Sequence, residues 1–190
     1  MSTYYDLLER IHAVLRPKLY VEIGVHEGHS LGLVHAGTRI VGVDPEPKVA
    51  EPPPDSTIVA QTSDDFFADP LALAEESIDL AFVDGLHWWE QTLRDVANLE
   101  HHASPDGTIL IHDCNPIDEI TSARARTTVV WSGDIWKTVV ALRRYRPDLL
   151  VHTVDVEPTG LAIVTGLDPA NTTLFDRYDE IITSIDQLSY

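Results

Sequence analysis

Short apolar runs alternate with segments of helical periodicity along most of the chain. The apolar runs predict seven strands, at residues 19–23, 39–43, 57–60, 78–83, 108–111, 150–156 and 161–165. Apolar positions that recur every three or four residues predict helices at 4–15, 88–102, 135–145 and 174–185, and another through 31–34.

Polar residues, prolines and glycines mark where these elements end. Ser2 and Thr3 are N-cap residue types in front of the first helix, and Pro17 stops it. Residues 105–107 (PDG) predict a turn before the fifth strand. Residues 157–160 (EPTG) have the β-turn pattern with Pro second and Gly fourth, which predicts that the last two strands form a hairpin.

The order of the elements indicates the fold class. The run at 78–83 is continuously apolar, as expected of a parallel strand that is covered on both faces. Alternating strands and helices predict an α/β fold with an open, doubly wound, mostly parallel sheet and an antiparallel C-terminal hairpin. No repeat, low-complexity tract or linker interrupts the pattern, so residues 1–190 are expected to form a single domain.

The composition indicates which binding partners and which cellular compartment to expect. The chain has 31 Asp and Glu against 13 Lys and Arg, a formal net charge of −18, so nucleic acid and anionic membranes are expected to be poor partners. No apolar run is long enough to span a membrane, and the N-terminus lacks the basic start and apolar block of a secretory signal. Cys114 is the single cysteine, which suits a reducing cytoplasm.

In doubly wound sheets, ligands bind beyond the carboxyl ends of the strands, near the point where the strand order reverses. The residues that follow each predicted strand are therefore the candidates for chemistry. They are Glu22 with 24–30, Asp44, 61–65, 84–87 and 112–115.

The first of these turns reads VEIGVHEGHS. Gly24 permits a sharp turn and Gly28 a close backbone approach, while Glu22 and Glu27 would repel a phosphate, so a ligand with an amino group fits better. The same turn also suits a strand-to-helix connection without a ligand. Asp44 ends the second strand about twenty residues after the turn, where a carboxylate binds ribose hydroxyls, and this favours a nucleoside-containing ligand.

The segments EIGVHEGHS, VGVD and DLAFVDGLHWWEQTLRDVANLEHHASPDGTILIHDCNP resemble class I S-adenosylmethionine-dependent methyltransferases. Within that class they are most similar to the metal-dependent O-methyltransferases of sugars and small molecules, the methylmannose polysaccharide O-methyltransferases among them. The resemblance covers about residues 20–116 and, weakly, 131–137. It implies a Rossmann-like domain.

The resemblance also implies which residues bind the methyl donor. Positions that match the family's donor site would line the methionine end, hold the ribose hydroxyls and border the adenine. They are Glu22, Gly24, Gly28 and Ser30 for the methionine end, Asp44 for the ribose, and Ser63 and Asp64 for the adenine, with Asp84 close to the donor.

The catalytic residues that the resemblance implies follow the fourth and fifth strands. His87 matches the histidine that acts as general base, and Asp84 is expected to act with it. Asp84 and Asp113 match the acids that bind a divalent ion. The family commonly has two adjacent acids, or an acid and Asn, after the fifth strand, whereas this chain has His112 in front of Asp113. Mg²⁺ or Mn²⁺ held by Asp84, His112 and Asp113 is the expected site, with Asn115 as another candidate ligand and a metal-free site as the alternative.

The acceptor is less well defined by the sequence. A sugar or oligosaccharide hydroxyl is the first hypothesis, a phenolic or other small hydroxylated metabolite the second, and a non-catalytic module that binds S-adenosylmethionine or a nucleoside the third. Residues 115–131 lack periodicity and are a candidate lid over the acceptor, in which Arg124 and Arg126 either meet an acidic substrate or are solvated. A homodimer through the hairpin edge or the first helix is possible.

Overall fold

The computed structural model describes residues 3–73 and 76–190. Thr3 caps the first helix, α1 (Tyr4–Leu15), because its hydroxyl accepts from the amide of Asp6 while the Asp6 carboxylate accepts from the amide of Thr3 at 2.8 Å. Arg16, in the left-handed conformation (φ 47°), ends the helix just before Pro17. Ser2, the other predicted cap, lies outside the described residues.

Seven strands form one sheet. They are β1 (Leu19–Ile23), β2 (Arg39–Val43), β3 (Ser56–Val59), β4 (Ile78–Val83), β5 (Ala103–His112), β6 (Leu150–Val154) and β7 (Leu161–Thr165). The strand order is β3-β2-β1-β4-β5-β7-β6, with β1 to β5 parallel and β7 antiparallel to both β5 and β6. The predicted Rossmann-like α/β fold with an antiparallel C-terminal hairpin is therefore confirmed.

Helices cover both faces of the sheet. Besides α1, they are α2 (Ser63–Ala68), α3 (Trp89–His101), α4 (Trp136–Tyr145), α5 (Thr173–Asp176) and α6 (Tyr178–Ile185). Leu8 of α1 packs with Tyr20 and Phe82 on one face. Trp89 of α3 and Val139 of α4 pack with the residues of the other face. Because both faces are covered, β1 is buried along its whole length.

Several element boundaries differ from the prediction. The turn predicted at 105–107 lies inside β5, where the pairing with β4 shifts register. The helix predicted through 31–34 is a short 3-10 helix, Ser30–Leu33. The final predicted helix is divided at Arg177 into α5 and α6. Helix α2 was not predicted at all.

No helix in the described parts of the chain has both the length and the apolar character needed to cross a membrane.

Candidate active site

A cleft of about 800 Å³ opens at the carboxyl ends of the central strands. It lies where the strand order reverses between β1 and β4, which is the usual place for a ligand in such a sheet. The predicted site residues that line the cleft are Gly24, Asp44, Ser63, Asp64, Asp84, His87, His112 and Asp113. Glu22, Gly28 and Ser30, which were predicted with them, lie outside its lining.

The turn after β1 packs directly on the end of β4. Gly24 has a φ of 89°, and a Cβ at this position would collide with the backbone carbonyl group of Asp84. Glycine is therefore needed here both for the backbone conformation and for the close approach of the two strand ends. The contact fixes Asp84 next to the turn that was predicted to bind the donor.

Glu22 is fully buried below the cleft. The Tyr20 hydroxyl donates to its carboxylate at 2.7 Å, and the Ser30 hydroxyl donates to the other oxygen. Burial raises the pKa of Glu22 to about 8, although these two hydrogen bonds act in the opposite direction. The hydrogen bond between Ser30 and Glu22 thus connects the end of the turn at residues 24–30, called the glycine turn below, to the buried strand β1.

The raised pKa of Glu22 predicts a pH-dependent cost to folding. The Glu22 carboxyl ionises near pH 4.5 in the unfolded chain and near pH 8 in the folded protein. The contribution of Glu22 to stability therefore falls as pH rises across this window. Glu22→Gln is expected to gain stability relative to the wild type, by up to a few kcal/mol, between pH 5 and pH 8. Urea unfolding at both pH values measures this difference. The exposed Glu51→Gln is the control, and a pH-independent difference for Glu22→Gln would contradict the assignment.

Asp44 lies at the end of β2, where it organises the glycine turn. Its Oδ2 accepts from the amides of Val25 (3.0 Å) and His26 (2.8 Å), and its Oδ1 accepts from the amide of Glu46 (2.8 Å). The carboxylate lines the cleft while these three backbone groups fix its orientation. This placement is compatible with a contact to ribose hydroxyls, which stays a prediction.

Ser63 and Asp64 lie in the first turn of α2, at the opposite end of the cleft from β5. The side-chain amide of Gln91 donates to Ser63 (3.2 Å) and to Asp64 (3.0 Å). It also donates to the Asp95 carboxylate at 3.1 Å. Burial raises the pKa of Asp95 to about 6. Gln91 and Asp95 line the cleft and were not predicted, because they face inward from the middle of α3 where the sequence shows only an amphipathic helix.

Two imidazole–carboxylate pairs occupy the ends of β4 and β5. Nδ1 of His87 lies 3.0 Å from Oδ2 of Asp113. Nδ1 of His112 lies 3.0 Å from Oδ1 of Asp84 and 3.5 Å from Oδ2 of Asp113. The Thr159 hydroxyl, at the tip of the hairpin, donates to the second oxygen of Asp113. The sequence placed these side chains together but did not indicate which acid pairs with which histidine.

These pairs raise the pKa of both histidines. Burial lowers the pKa of His87, but the contacts with Asp113 and Asp84 outweigh it, so the net pKa is raised. Burial likewise lowers the pKa of His112, and the charge of Asp84 more than compensates. In return, His112 outweighs the effect of burial on Asp84 and lowers the pKa of that carboxyl.

One group at this site has the spacing of metal ligands. Asp84, His87 and Asp113 each offer one ligand atom, and these atoms lie within 4.8 Å of one another. His112, which the sequence placed among the ligands, is not part of this group; its Nδ1 is hydrogen-bonded to Asp84 at 3.0 Å and lies 3.5 Å from Asp113. Asn115 donates to Asp155 at 3.0 Å, which directs its amide to the hairpin.

The irregular segment 115–131 forms one wall of the cleft. The Trp131 ring stacks on the His87 ring, with 4.7 Å between centroids and 6° between planes, and its indole N–H donates to the carbonyl of Ala123 at 2.6 Å. Arg126 and Val129 line the same wall. The sequence left open whether Arg124 and Arg126 meet an acidic substrate or are solvated, and of the two only Arg126 lines the cleft; Trp131 was not assigned to the site, since a segment without periodicity does not show which side chains point inward.

Comparison with solved structures shows what the fold resembles. Cofactor-bound Rv0187 from MTB has a TM-score of 0.68 at 16% identity, over 87% of this chain and 80% of that one. The O-methyltransferase TomG from Streptomyces achromogenes, in complex with SAM, has a TM-score of 0.67 at 13% identity, over 85% and 78%. The O-methyltransferase from Bacillus cereus, in complex with SAH, has a TM-score of 0.63 at 11% identity, over 85% and 80%.

Sequence comparison adds a family match. No curated protein matches the sequence significantly. Residues 21–114 match the family model described as a methyltransferase domain. The matched segment includes the glycine turn, Asp44 and both imidazole–carboxylate pairs. Over these residues the chain is therefore similar to methyltransferase domains, and its fold is of the same kind as that of the solved O-methyltransferases, which supports an enzyme of this type.

Proposed function

We propose that the protein transfers a methyl group from S-adenosylmethionine to a hydroxyl of a sugar or another small molecule. The observation that carries the proposal is the position of His87, which lines the cleft next to the Asp113 carboxylate. Its Nδ1 lies 3.0 Å from Oδ2 of Asp113, and the negative charge of that carboxylate favours the tautomer with a proton on Nδ1, which leaves Nε2 as the acceptor for a substrate proton. The donor would bind between the glycine turn and α2.

The chemistry that the protein must supply is limited, because the sulfonium donor is already activated. The acceptor oxygen has to be aligned with the methyl group and has to lose its proton. In this proposal Asp113 orients the His87 ring and stabilises its protonated form, while Thr159 fixes Asp113 from the other side. Trp131 holds the ring plane by stacking.

The carboxylates of Asp84 and Asp113 also fit a divalent cation. Two carboxylate oxygens and an imidazole nitrogen within 4.8 Å of one another are a donor set suited to Mg²⁺ or Mn²⁺. A bound ion would stabilise the negative charge that develops on the acceptor oxygen. We propose Asp84 and Asp113 as its protein ligands. His87 would remain the base, so its Nε2 would stay available to the acceptor.

Calorimetric titration with S-adenosylmethionine and with its demethylated product tests the first part of the proposal. Micromolar binding of both is expected, with NAD⁺ as a ligand control that should not bind, since the turn is lined with carboxylates. The absence of binding by donor and product alike would contradict the function. It would leave an α/β domain with an acidic cleft.

The metal is tested by titrating Mg²⁺ and Mn²⁺ into protein saturated with the demethylated product. Saturable binding is expected in the wild type and is expected to weaken at least tenfold in Asp84→Asn, because a charged oxygen ligand is replaced by a neutral amide. Asp79→Asn is the control, since Asp79 accepts from the amides of Lys18 and Leu19 at the opposite end of the sheet. Equal binding by both variants would exclude Asp84 as a ligand.

A further inference from the structure

We propose that the methyl acceptor carries an anionic group, a carboxylate or a phosphate, and that Arg126 binds it. This inference rests on the proposed function, because it names the kind of acceptor that reaches His87. Its basis is the position of the Arg126 guanidinium beside Trp131, the residue whose ring stacks on His87. Among the described residues, this guanidinium has no acidic partner.

The charges around the cleft are distributed unevenly. The described carboxylates that line it are those of Asp44, Asp64, Asp84, Asp95 and Asp113. Among the Lys and Arg residues at 3–73 and 76–190, Arg126 alone contributes to the lining. An anionic group on a substrate is therefore repelled from the strand ends and attracted to the wall formed by segment 115–131. This polarity would orient the acceptor in the cleft.

The guanidinium of Arg126 is oriented by the backbone of its own loop. Its Nε donates to the carbonyl of Thr128 at 3.5 Å and its Nη2 to that of Val129 at 3.2 Å. Within the described parts of the chain it has no ion pair. A guanidinium has five N–H donors, so about three remain for a ligand. A planar fork held in this way suits the two oxygens of a carboxylate or phosphate.

The neighbouring Arg124 shows what a structural arginine of this segment does. It donates to the Glu90 carboxylate through both of its terminal nitrogens and lies 3.4 Å from Asp134. These contacts fasten the segment to α3 and to the start of α4. In a protein with a net charge of −18, carboxylates are plentiful. Arg126 nevertheless lines the cleft without pairing to any carboxylate that the structure describes.

The anionic group would bind close to the base. The guanidinium carbon of Arg126 lies 5.9 Å from the centroid of the Trp131 ring, and the same ring stacks on His87 at 4.7 Å. A cleft of about 800 Å³ is in the size range of small-molecule sites, so it would hold the donor together with a small acceptor. The acceptor thus combines a hydroxyl for His87 with an anionic group a few bonds away.

Matched pairs of acceptors test the inference. The pairs are mannose 6-phosphate with mannose and 3,4-dihydroxybenzoate with catechol, assayed for kcat/KM with S-adenosylmethionine and for binding to protein saturated with the demethylated product. The charged member of at least one pair is expected to be preferred. Arg126→Ala is expected to lower kcat/KM and affinity for that member by about 10- to 100-fold, with little effect on the neutral member. Arg126→Lys should retain part of the preference.

Two controls show whether Arg126 acts by binding the acceptor. The first tests for a general effect of net charge, and the second tests whether Arg126 binds the donor. Arg144→Ala changes the net charge equally but lies on α4, where Arg144 contacts Ser184 at 3.3 Å, and it should leave the preference unchanged. Binding of the demethylated product reports on the donor, which has a carboxylate of its own. If Arg126→Ala weakens only the product, Arg126 binds the donor and the inference is wrong.

The remaining outcomes are also decisive. The inference is wrong if the neutral members bind as well as the charged ones. It is also wrong if the preference survives in Arg126→Ala, or if the protein binds no member of either pair. None of these results affects the proposed function as long as donor and product bind. Failure of the proposed function is a different result, the absence of donor and product binding.

Discussion

Replacing His87 with Ala is expected to lower kcat by about 10²- to 10⁴-fold while the affinity for donor and product stays within about twofold. The reason is that Nδ1 of His87 lies 3.0 Å from the Asp113 carboxylate, whose charge stabilises the protonated ring, whereas the donor would bind on the side of the glycine turn and Asp44. Steady-state kinetics with the best acceptor, together with calorimetry of the product, measures the two effects separately.

The control for this prediction is His152→Ala, an exposed histidine on the edge strand β6, which should not change kcat. The pH profile gives a second test. Since only the neutral ring accepts a proton and the net pKa of His87 is raised above its ordinary 6.5, wild-type kcat should fall with decreasing pH already above pH 6.5. Asp113→Asn removes the main group that raises this pKa, so the acid limb should move to lower pH. Unchanged kcat in His87→Ala would rule out this base.

The fold and the position of the site follow from simple regularities in the sequence. Apolar runs that are buried on both faces predict parallel strands, and parallel strands bring their carboxyl ends to one edge of the sheet. Acids and histidines that follow β4 and β5 therefore lie together without any knowledge of side-chain conformation. Asp84, His87, His112 and Asp113 all line the cleft for this reason.

The pairing within this group does not follow from the strand pattern. It depends on the local backbone at Asp113, which has the left-handed conformation with a φ of 62°, and on Thr159 from the distant hairpin. Nor does the wall of the cleft follow, because Arg126 and Trp131 belong to a segment without helix or strand. Helix α2 did have a signal, since Thr62 and Asp65 have the spacing of an N-cap and its third helical residue.

Gly24→Ala is the second change with a large expected effect. The substituted residue would have to adopt a φ of 89°, and its Cβ would collide with the backbone carbonyl of Asp84. Left-handed strain and overpacking each cost about 1–3 kcal/mol, so a loss of roughly 2–6 kcal/mol in the free energy of unfolding is expected. The movement of Asp84 away from the turn should also weaken product binding more than tenfold.

Two other glycines allow the collision to be measured apart from the strain. Gly37 has the same φ of 89° as Gly24, but a Cβ added to it would meet no described atom within 4 Å, so Gly37→Ala reports the backbone strain alone. Gly32 has neither a positive φ nor a described neighbour within 4 Å of an added Cβ, so Gly32→Ala provides the baseline. Urea unfolding of the three variants should rank Gly24→Ala as the least stable, followed by Gly37→Ala. If Gly24→Ala is no less stable than Gly37→Ala, the ends of β1 and β4 have room to separate, and product binding should then be retained. A large stability gap together with lost binding would instead show that the contact between the turn and Asp84 shapes the donor site.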